Sequence, residues 1–225
     1  MPVMSIALVD DQPLVRAGFA MVINAQDDMR VAFEASSGLE AIRGLRAHRV
    51  DVMIMDVRMP ELDGIAATER IVRDGGTNAP KIVMLTTFDL DEYVGDAIRA
   101  GASGFLLKDA QPEELLSAIR TVHRGDAVIA PSATKRLLGT IAALPSQGGA
   151  DTSRLDALTD REREVLVHMA HGLSNQEIAA ALFLAEATVK THVGRVLAKI
   201  EARDRVQAVI VAFETGLVTP GADEH

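Results

Sequence analysis

The sequence predicts two domains, a doubly wound α/β domain with a five-stranded parallel sheet and an all-α domain of four helices. Three observations support this fold class. Short aliphatic runs alternate five times with amphipathic segments in the first half of the chain. A Pro/Gly/Ser stretch at 145–153 has the composition of a flexible linker. After Leu158 the apolar residues recur at helical spacing, and 225 residues suffice for two small domains.

The elements of the first domain follow from this alternation. The strand candidates are aliphatic or β-branched and too short for helices of that apolarity, and the segments between them have helical periodicity. The predicted strands are 6–9, 31–34, 52–55, 82–85 and 104–107. The predicted helices are 14–23, 39–47, 65–72, 91–100 and 112–123. Such alternation predicts a parallel sheet with helices on both faces.

The first two helices of the second domain begin at recognisable capping boxes. Thr159 with Glu162, and Ser174 with Glu177, can each satisfy the free backbone amides of a first helical turn. Gly172 ends the first of these helices. A third helix is expected at 186–200 and a fourth at 203–215, ending at Gly216. In the preceding segment, a further helix is expected at 131–141.

Composition narrows the classes of function. The chain has no cysteine, which excludes a disulfide framework and a cysteine nucleophile. Aromatic residues make up 3%, too few for stacking platforms that bind single-stranded nucleic acid. No basic leader opens the sequence, and no apolar run approaches the roughly 20 residues of a membrane span. We therefore expect a cytoplasmic protein that does not bind membranes.

Charged or hydroxyl side chains follow the ends of four predicted strands. Asp10 and Asp11 follow the first strand, Asp56 the third, Thr86 the fourth and Lys108 the fifth. The carboxyl ends of parallel strands meet at one edge, so three carboxylates should converge there and require a cation. Oxygen ligands favour Mg²⁺. Each residue alone would fit an ordinary helix cap or a solvated side chain, but the set suits binding and transfer of a phosphoryl group.

These motifs resemble the receiver domain of two-component response regulators. The matching segments are VDDQ at 9–12, MDVRMPELDG at 55–64, LTT at 85–87 and GASGFLLK at 101–108. The resemblance implies that Asp56 accepts the phosphoryl group. It implies that Mg²⁺ is held by Asp10, Asp11, Asp56 and the backbone carbonyl of Arg58. It also implies that Thr86 and Lys108 bind phosphoryl oxygens.

Two positions in this resemblance carry separate expectations. Phe105 matches the aromatic residue that changes rotamer together with Thr86 in receivers, and the alternative is an ordinary core aromatic. Receivers often have proline after the lysine, whereas Asp109 follows Lys108 here. A cis bond without proline costs about 2.5–4 kcal/mol, so we expect a trans peptide.

The second domain resembles a LuxR-type helix-turn-helix, and the whole chain resembles the NarL/FixJ family of response regulators. The segments are LTDREREVL at 158–166, GLSNQEIA at 172–179 and ATVKTHV at 187–193. In this motif the recognition helix enters the major groove of DNA. By position, base contacts are expected from Lys190, Thr191 and Gly194, with Thr188 and Arg195 nearby. Phosphate contacts are expected from Ser174, Asn175 and Gln176.

Two residues depart from this second pattern. Ala185 stands where relatives usually have a serine that caps the recognition helix, and alanine cannot cap. Glu201 stands where relatives often have the glycine that ends that helix. The resulting domain boundaries are a receiver at 1–125, a linker with a helix at 126–154, the helix-turn-helix domain at 155–218 and a disordered tail at 219–225.

Charge gives two opposing indications about DNA. The net charge of −9, from 23 basic and 32 acidic residues, speaks against nucleic-acid binding. The segment 188–206 is nevertheless locally basic, with a net charge of +3 from the five cations Lys190, Arg195, Lys199, Arg203 and Arg205 against two carboxylates. We therefore expect DNA binding. The alternative is a helical protein-binding module.

Together these observations predict a transcription regulator controlled by phosphorylation. The expected partners are a sensor histidine kinase, double-stranded promoter DNA and a second copy of the chain after phosphorylation, with RNA polymerase a further candidate. The protein is not expected to be an enzyme, beyond slow, Mg²⁺-dependent self-phosphorylation and dephosphorylation of Asp56. One alternative is an orphan regulator that works independently of phosphorylation. The other is a phosphatase or phosphotransferase that acts on a diffusible substrate.

Overall fold

The computed structural model describes residues 3–86, 90–125 and 152–218. The chain divides into two compact units, Met1–Ala130 and Pro131–His225, which are described separately below. Four expectations lie wholly or mostly outside the described residues: Thr87 of the LTT motif, the helix at 131–141, the flexible linker at 145–153 and the tail at 219–225. Every helix within the described ranges is too short or too polar to cross a lipid bilayer.

The first unit is a five-stranded parallel sheet of order β2-β1-β3-β4-β5 with helices on both faces, which confirms the predicted fold class. The strands are β1 (Met4–Val9), β2 (Met29–Ala35), β3 (Val52–Asp56), β4 (Lys81–Thr86) and β5 (Gly104–Leu107). The helices are α1 (Pro13–Asn24), α2 (Gly38–Gly44), α3 (Gly64–Gly75), α4 (Leu90–Arg99) and α5 (Pro112–His123), with a 3₁₀ turn at Gly76–Asn78.

The core explains why the aliphatic strands are central. Ile6, Ile54 and Leu85 of β1, β3 and β4 are buried together with Leu115 and Ile119 of α5. On this face α1 also contacts α5, whereas α3 contacts both α2 and α4. Burial of both faces of the sheet stabilises it through the hydrophobic effect and leaves the strand ends for polar groups.

The described part of the second unit, residues 152–218, contains four helices that pack against one another, preceded by a single helical turn. These elements are α6 (Ser153–Asp156), α7 (Asp160–Ala170), α8 (Asn175–Leu182), α9 (Glu186–Lys199) and α10 (Arg205–Glu214). Helix α7 packs against α9 and α10, and α8 packs against α9. Both predicted capping boxes are present, at Thr159 and at Ser174. Gly172 and Gly216 follow their helices with positive φ, as predicted.

Most elements differ from the sequence-based bounds by one to three residues at an end, and three of the differences are informative. The α6 turn begins at Ser153, inside the segment expected to be linker, and Arg154 Nη2 donates to the Ile200 carbonyl at 2.7 Å. Helix α2 ends at Gly44 rather than at residue 47, and the Arg46 and Ala47 amides after it donate to carbonyls three rather than four residues back. Helix α10 begins at Arg205 rather than at 203, since the buried Asp204 caps it.

Candidate functional site

Two aspartates and a lysine meet at the carboxyl edge of the sheet. Asp10 follows β1, Asp56 ends β3, and Lys108 follows β5. Lys108 Nζ lies 2.8 Å from Asp10 Oδ2 and 2.8 Å from Asp56 Oδ2. Both carboxylates are buried, so the ammonium group neutralises charges that water reaches poorly. The expected convergence of these side chains is therefore present.

Asp11 completes an acidic cluster that can hold a metal ion. Carboxylate oxygens of Asp10, Asp11 and Asp56 all lie within 4.8 Å of one another, and Asp11 is exposed. Three oxygen donors with one open side fit a hard divalent cation that retains water ligands. Within the described ranges, this is the one place where three or more metal-ligating side chains come together.

The electrostatics of the cluster follow from burial. Burial raises the pKa of the Asp56 carboxyl above its ordinary value; Lys108 opposes this rise, and the Asp10 charge adds to it. Burial works to lower the pKa of Lys108, but its contacts with Asp10 and Asp56 outweigh burial and the pKa is raised. Lys108 therefore stays protonated, as a group that binds anionic oxygens must.

The loop after β3 is fixed by close backbone contacts. A Cβ on Gly64 would lie 2.0 Å from the Asp56 carbonyl oxygen, so only glycine allows α3 to start at this distance. The Gly64 amide donates to the Val57 carbonyl at 2.9 Å. Glu61 has a positive φ of 66°, and its carboxylate accepts from the Ser37 hydroxyl at 3.3 Å. This loop therefore holds Asp56 in a defined position.

Arg58 connects the same loop with α4. Its backbone amide donates to the Asp56 carboxylate and favours the charged form. Its guanidinium lies over the Tyr93 ring, 5.0 Å from the ring centroid, and donates to the Tyr93 hydroxyl. The contact with Tyr93 was not predicted, because nothing in the local sequence relates residues that are 35 positions apart.

Thr86 and Phe105 lie on the same face of the sheet next to this edge. Both are buried. Phe105 pairs with Met84 and Leu107 pairs with Thr86, which makes Phe105 and Thr86 diagonal neighbours. The Lys108 amide donates to the Thr86 carbonyl at 2.9 Å, so the fourth and fifth strand ends are held together. All peptide bonds in the described residues are trans, including that between Lys108 and Asp109, as expected.

Arg16 is a neighbour of the acidic cluster that sequence reasoning missed. Its Nη1 donates to the Asp10 carbonyl at 2.6 Å, and its Nε lies 3.4 Å from Glu34 Oε2. The Asp10 carboxylate also accepts from the Gln12 amide at 2.8 Å. The signal was present in the sequence, since Arg16 is the one basic residue of α1, but a helical arginine does not reveal its target.

A second candidate site lies on α9. The side chains expected to read bases are all exposed along this helix, at Thr188, Lys190, Thr191, Gly194 and Arg195. The Thr191 hydroxyl donates to the Ala187 carbonyl at 3.0 Å. Lys190 Nζ lies 2.7 Å from Glu186 Oε1 at the first position of the helix. Ala185 provides no side-chain cap, in agreement with the sequence-based expectation.

The residues expected to contact phosphates have different surroundings. The Ser174 hydroxyl accepts from the Glu177 amide at 3.2 Å and caps α8. The Asn175 side chain accepts from Arg205 Nη1 at 3.1 Å. Gln176 is exposed at the second position of α8. Ser174 and Gln176 are thus exposed, whereas Asn175 is half-buried.

The locally basic segment presents fewer cations than its sequence suggests. Lys199 Nζ lies 2.7 Å from the buried carboxylate of Glu162, and Arg205 donates to the Leu173 carbonyl. Burial lowers the pKa of Arg203. Lys199 is exposed but paired, and Arg203 and Arg205 are half-buried, which leaves Lys190 and Arg195 as the exposed cations of that segment that make no such contact within the domain core. The charge of +3 counted on the sequence therefore overstates the charge that α9 presents.

Comparison with known proteins gives the same division of the chain. Residues 6–120 match the family model described as response regulator receiver domain. Residues 156–212 match the model described as bacterial regulatory proteins, luxR family.

Similar proteins match over nearly the whole chain. An uncharacterized transcriptional regulatory protein of Bacillus subtilis, YxjL, is 47% identical over 95% of this chain and 96% of its own. The oxygen regulatory protein NreC of Staphylococcus carnosus is 38% identical over 96% and 99%. The crystal structure of the response regulator ChrA, from a heme-sensing two-component system, is 34% identical with a TM-score of 0.51, covering 97% of this chain and 100% of that one.

Proposed function

The chain belongs to the two-component response regulators with a receiver domain and a LuxR-type DNA-binding domain, and from this we propose that phosphorylation of Asp56 controls its binding to promoters. As a response regulator it controls transcription and is not an enzyme beyond the phosphorylation chemistry of its receiver. The observation that carries the proposal is the contact of Lys108 with both Asp10 and Asp56.

Asp56 is the nucleophile in this proposal. One of its carboxylate oxygens forms a bond to phosphorus while the phosphorus–nitrogen bond of a kinase phosphohistidine breaks. Lys108 then contacts the new phosphoryl oxygens in place of the Asp56 carboxylate, and Thr86 donates its hydroxyl to them. Movement of Thr86 frees space that Phe105 can enter, because the two side chains are diagonal neighbours.

We further propose that Mg²⁺ is the metal of the acidic cluster. Asp10, Asp11, Asp56 and the Arg58 carbonyl would hold it, and when bound it neutralises charge on the phosphoryl oxygens. Three carboxylates within 4.8 Å support this proposal, because they repel one another without a cation.

The DNA-binding half of the proposal uses α9. This helix would lie in the major groove with Lys190 and Thr191 at base edges, Gly194 allowing close approach, and Thr188 and Arg195 beside them. Ser174, Asn175 and Gln176 at the start of α8 would lie at phosphates, Ser174 donating its hydroxyl proton and Asn175 its backbone amide. The small number of exposed cations on α9 means that one such helix binds DNA weakly. We therefore propose that the protein binds two half-sites as a dimer.

The proposed partners follow from these two activities. The phosphoryl donor is a sensor histidine kinase. The phosphorylated chain forms a homodimer with a second copy of itself, and it does so in the cytoplasm. Contact with RNA polymerase at promoters belongs to the same proposal. The domain limits that we propose are 1–125 for the receiver, 126–154 for the linker and 155–218 for the DNA-binding domain.

Phosphorylation is tested with a small phosphodonor. The full-length protein is incubated with acetyl phosphate and MgCl₂, and its intact mass is followed. We expect one added phosphoryl group on the wild type, none on Asp56→Asn and none when EDTA removes the metal. Asp74→Asn, which removes an exposed carboxylate elsewhere in the receiver, is the matched control and should be labelled like the wild type. Equal labelling of Asp56→Asn would overturn the assignment.

An orphan regulator that ignores phosphorylation is the second candidate. Size-exclusion chromatography and DNA-binding assays before and after phosphorylation distinguish the two. Phosphorylation should convert the protein to a dimer and raise its affinity for duplex DNA in the wild type but not in Asp56→Asn. Unchanged affinity after complete labelling would favour the orphan regulator.

A further inference from the structure

An acidic side chain lies beside the lysine proposed to read DNA. Glu186 Oε1 is 2.7 Å from Lys190 Nζ, and the two side chains are 50% and 59% exposed. We propose that Glu186 is a specificity-determining residue, which weakens binding to any DNA that offers Lys190 no base acceptor. This inference rests on the proposed reading role of α9.

The geometry favours the ion pair in the free protein. Glu186 precedes Lys190 by four residues, which is the more favourable order for such a pair on a helix. Glu186 is also the first residue of α9, where the helix dipole favours a carboxylate. Lys190 is therefore neutralised before DNA arrives, and the carboxylate enters the groove together with the start of the helix.

The other charges of α9 make this neutralisation important. Its remaining lysine and arginine are Lys199 and Arg195, and Lys199 is bound to Glu162 inside the domain. Apart from Lys199, whose charge is balanced by Glu162, the exposed charged residues of α9 are Glu186, Lys190 and Arg195, with a net charge of +1. Replacing Glu186 by a neutral residue doubles the formal positive charge that this face presents to phosphates.

The carboxylate affects correct and incorrect DNA differently. A base with acceptors in the major groove, such as guanine, gives Lys190 a directed hydrogen bond that compensates for leaving Glu186. Non-specific DNA offers only phosphates, to which Glu186 adds repulsion. Specificity is a difference between two affinities, and a repulsive group that acts mainly on the wrong partner increases it.

The test compares two duplexes with full-length, acetyl-phosphate-treated protein. One duplex is recovered by the wild type from a randomised pool, and the other is a scrambled duplex of the same composition. Fluorescence anisotropy should show that Glu186→Gln raises affinity for the scrambled duplex by about threefold to tenfold. Its affinity for the recovered duplex should change much less. The slope of log affinity against log salt on the scrambled duplex should steepen by about 0.9 per protomer.

Glu214→Gln is the matched control, because it makes the same change of net charge at the exposed end of α10. It should leave the ratio of the two affinities unchanged. In a Lys190→Gln background, Glu186→Gln should shift that ratio far less than in the wild type. Equal effects of Glu186→Gln and Glu214→Gln, or equal gains on both duplexes, would overturn the inference.

Failure of the reading role of α9 has a different signature. If Lys190→Gln leaves both affinities unchanged, α9 does not read DNA through this lysine. The proposed base contact of Lys190 and the proposed specificity role of Glu186 are then both wrong. If Lys190→Gln weakens binding to the recovered duplex while Glu186→Gln behaves like Glu214→Gln, only the specificity role of Glu186 is wrong.

Discussion

Gly64 stands where the loop after β3, which we call the acceptor loop, leaves no room for a side chain. Because an added Cβ would lie 2.0 Å from the Asp56 carbonyl oxygen, Gly64→Ala must displace either α3 or the acceptor itself. We expect a loss of about 1–3 kcal/mol in the free energy of unfolding, together with slower labelling of Asp56 by acetyl phosphate. Urea denaturation and intact-mass kinetics measure the two effects.

Gly18→Ala is the control for that substitution. Gly18 lies in the exposed part of α1, and no heavy atom is near its missing Cβ. Alanine there should stabilise the receiver by about 0.5–1 kcal/mol, because glycine is a poor helix former. Equal stability of Gly64→Ala and the wild type would contradict the close contact.

The backbone of Glu201 is strained, as expected for a residue that replaces the glycine often found at this position in relatives. It follows α9 with a φ of 55°, where relatives often have glycine. Glu201→Gly should therefore raise the free energy of unfolding of the second unit by about 1 kcal/mol. Ala198→Gly, three residues earlier within the helix, should lower it by a similar amount. Thermal unfolding followed by helical circular dichroism measures both, and shifts of the same sign would refute the strain.

At the level of elements, the pair of Glu162 with Lys199 joins α7 to α9. The hydrogen bond from Lys199, aided by the Thr159 amide, lowers the pKa of Glu162 from 4.5 to about 2. A folded-state pKa below the unfolded value stabilises the domain above the unfolded pKa. That contribution is lost as the pH falls from about 4.5 towards 2.

Glu162→Gln separates this contribution from other acid effects. Glutamine can keep the capping box, but it does not titrate. The stability advantage of the wild type over Glu162→Gln should be constant above about pH 5 and should shrink towards pH 2. Hydrogen exchange of amides in α7 and α9 at several pH values measures it. Parallel pH profiles for the two proteins would show that the pair does not contribute in this way.

The elements also show which parts of the fold local sequence can predict. Apart from the α6 turn and the 3₁₀ turn, every strand and helix of the described residues was expected, and β5 and α5 have the predicted bounds, because aliphatic runs and capping residues act locally. The close approach of Phe33 to Gly44 was missed because it joins residues of two elements, β2 and α2. The role of Lys199 was missed for the same reason, since its partner Glu162 is 37 residues away.

The candidate site divides in the same way. The positions of Asp10, Asp56 and Lys108 could be predicted because parallel strands bring their carboxyl ends to one edge. The contacts of Arg16 with Asp10 and of Arg58 with Tyr93 could not, because a long side chain on a helix or loop has many reachable partners. Sequence therefore predicted the acidic cluster itself better than the side chains that hold it.

For the whole molecule, the distribution of charge should determine how DNA binding depends on salt. If all five cations of 188–206 contacted phosphates, the slope of log affinity against log salt would be about −4.5 per protomer. With Lys190 paired with Glu186, and with Lys199 and Arg205 held in contacts of the domain, we expect about −0.9. Anisotropy titrations with non-specific duplex DNA over a range of KCl concentrations measure this slope.

Two variants locate the cations responsible. Arg195→Gln should make the slope shallower by about 0.9 per protomer, whereas Lys199→Gln should leave it nearly unchanged in protein that retains its helical circular dichroism. A slope near −4.5 in the wild type would mean that the contacts of Lys199 and Arg205 within the domain open when DNA binds.

The stacking of Arg58 on Tyr93 also has an optical consequence. Tyr93 is the single tyrosine of a chain without tryptophan, so almost all ultraviolet fluorescence of the protein originates beside the acceptor loop. Ligation at Asp56, two residues from Arg58, should alter that emission when beryllofluoride and Mg²⁺ are added, and Asp56→Asn should not respond. The DNA-binding domain has neither fluorophore, so the receiver is a label-free reporter of its own state even in the presence of DNA.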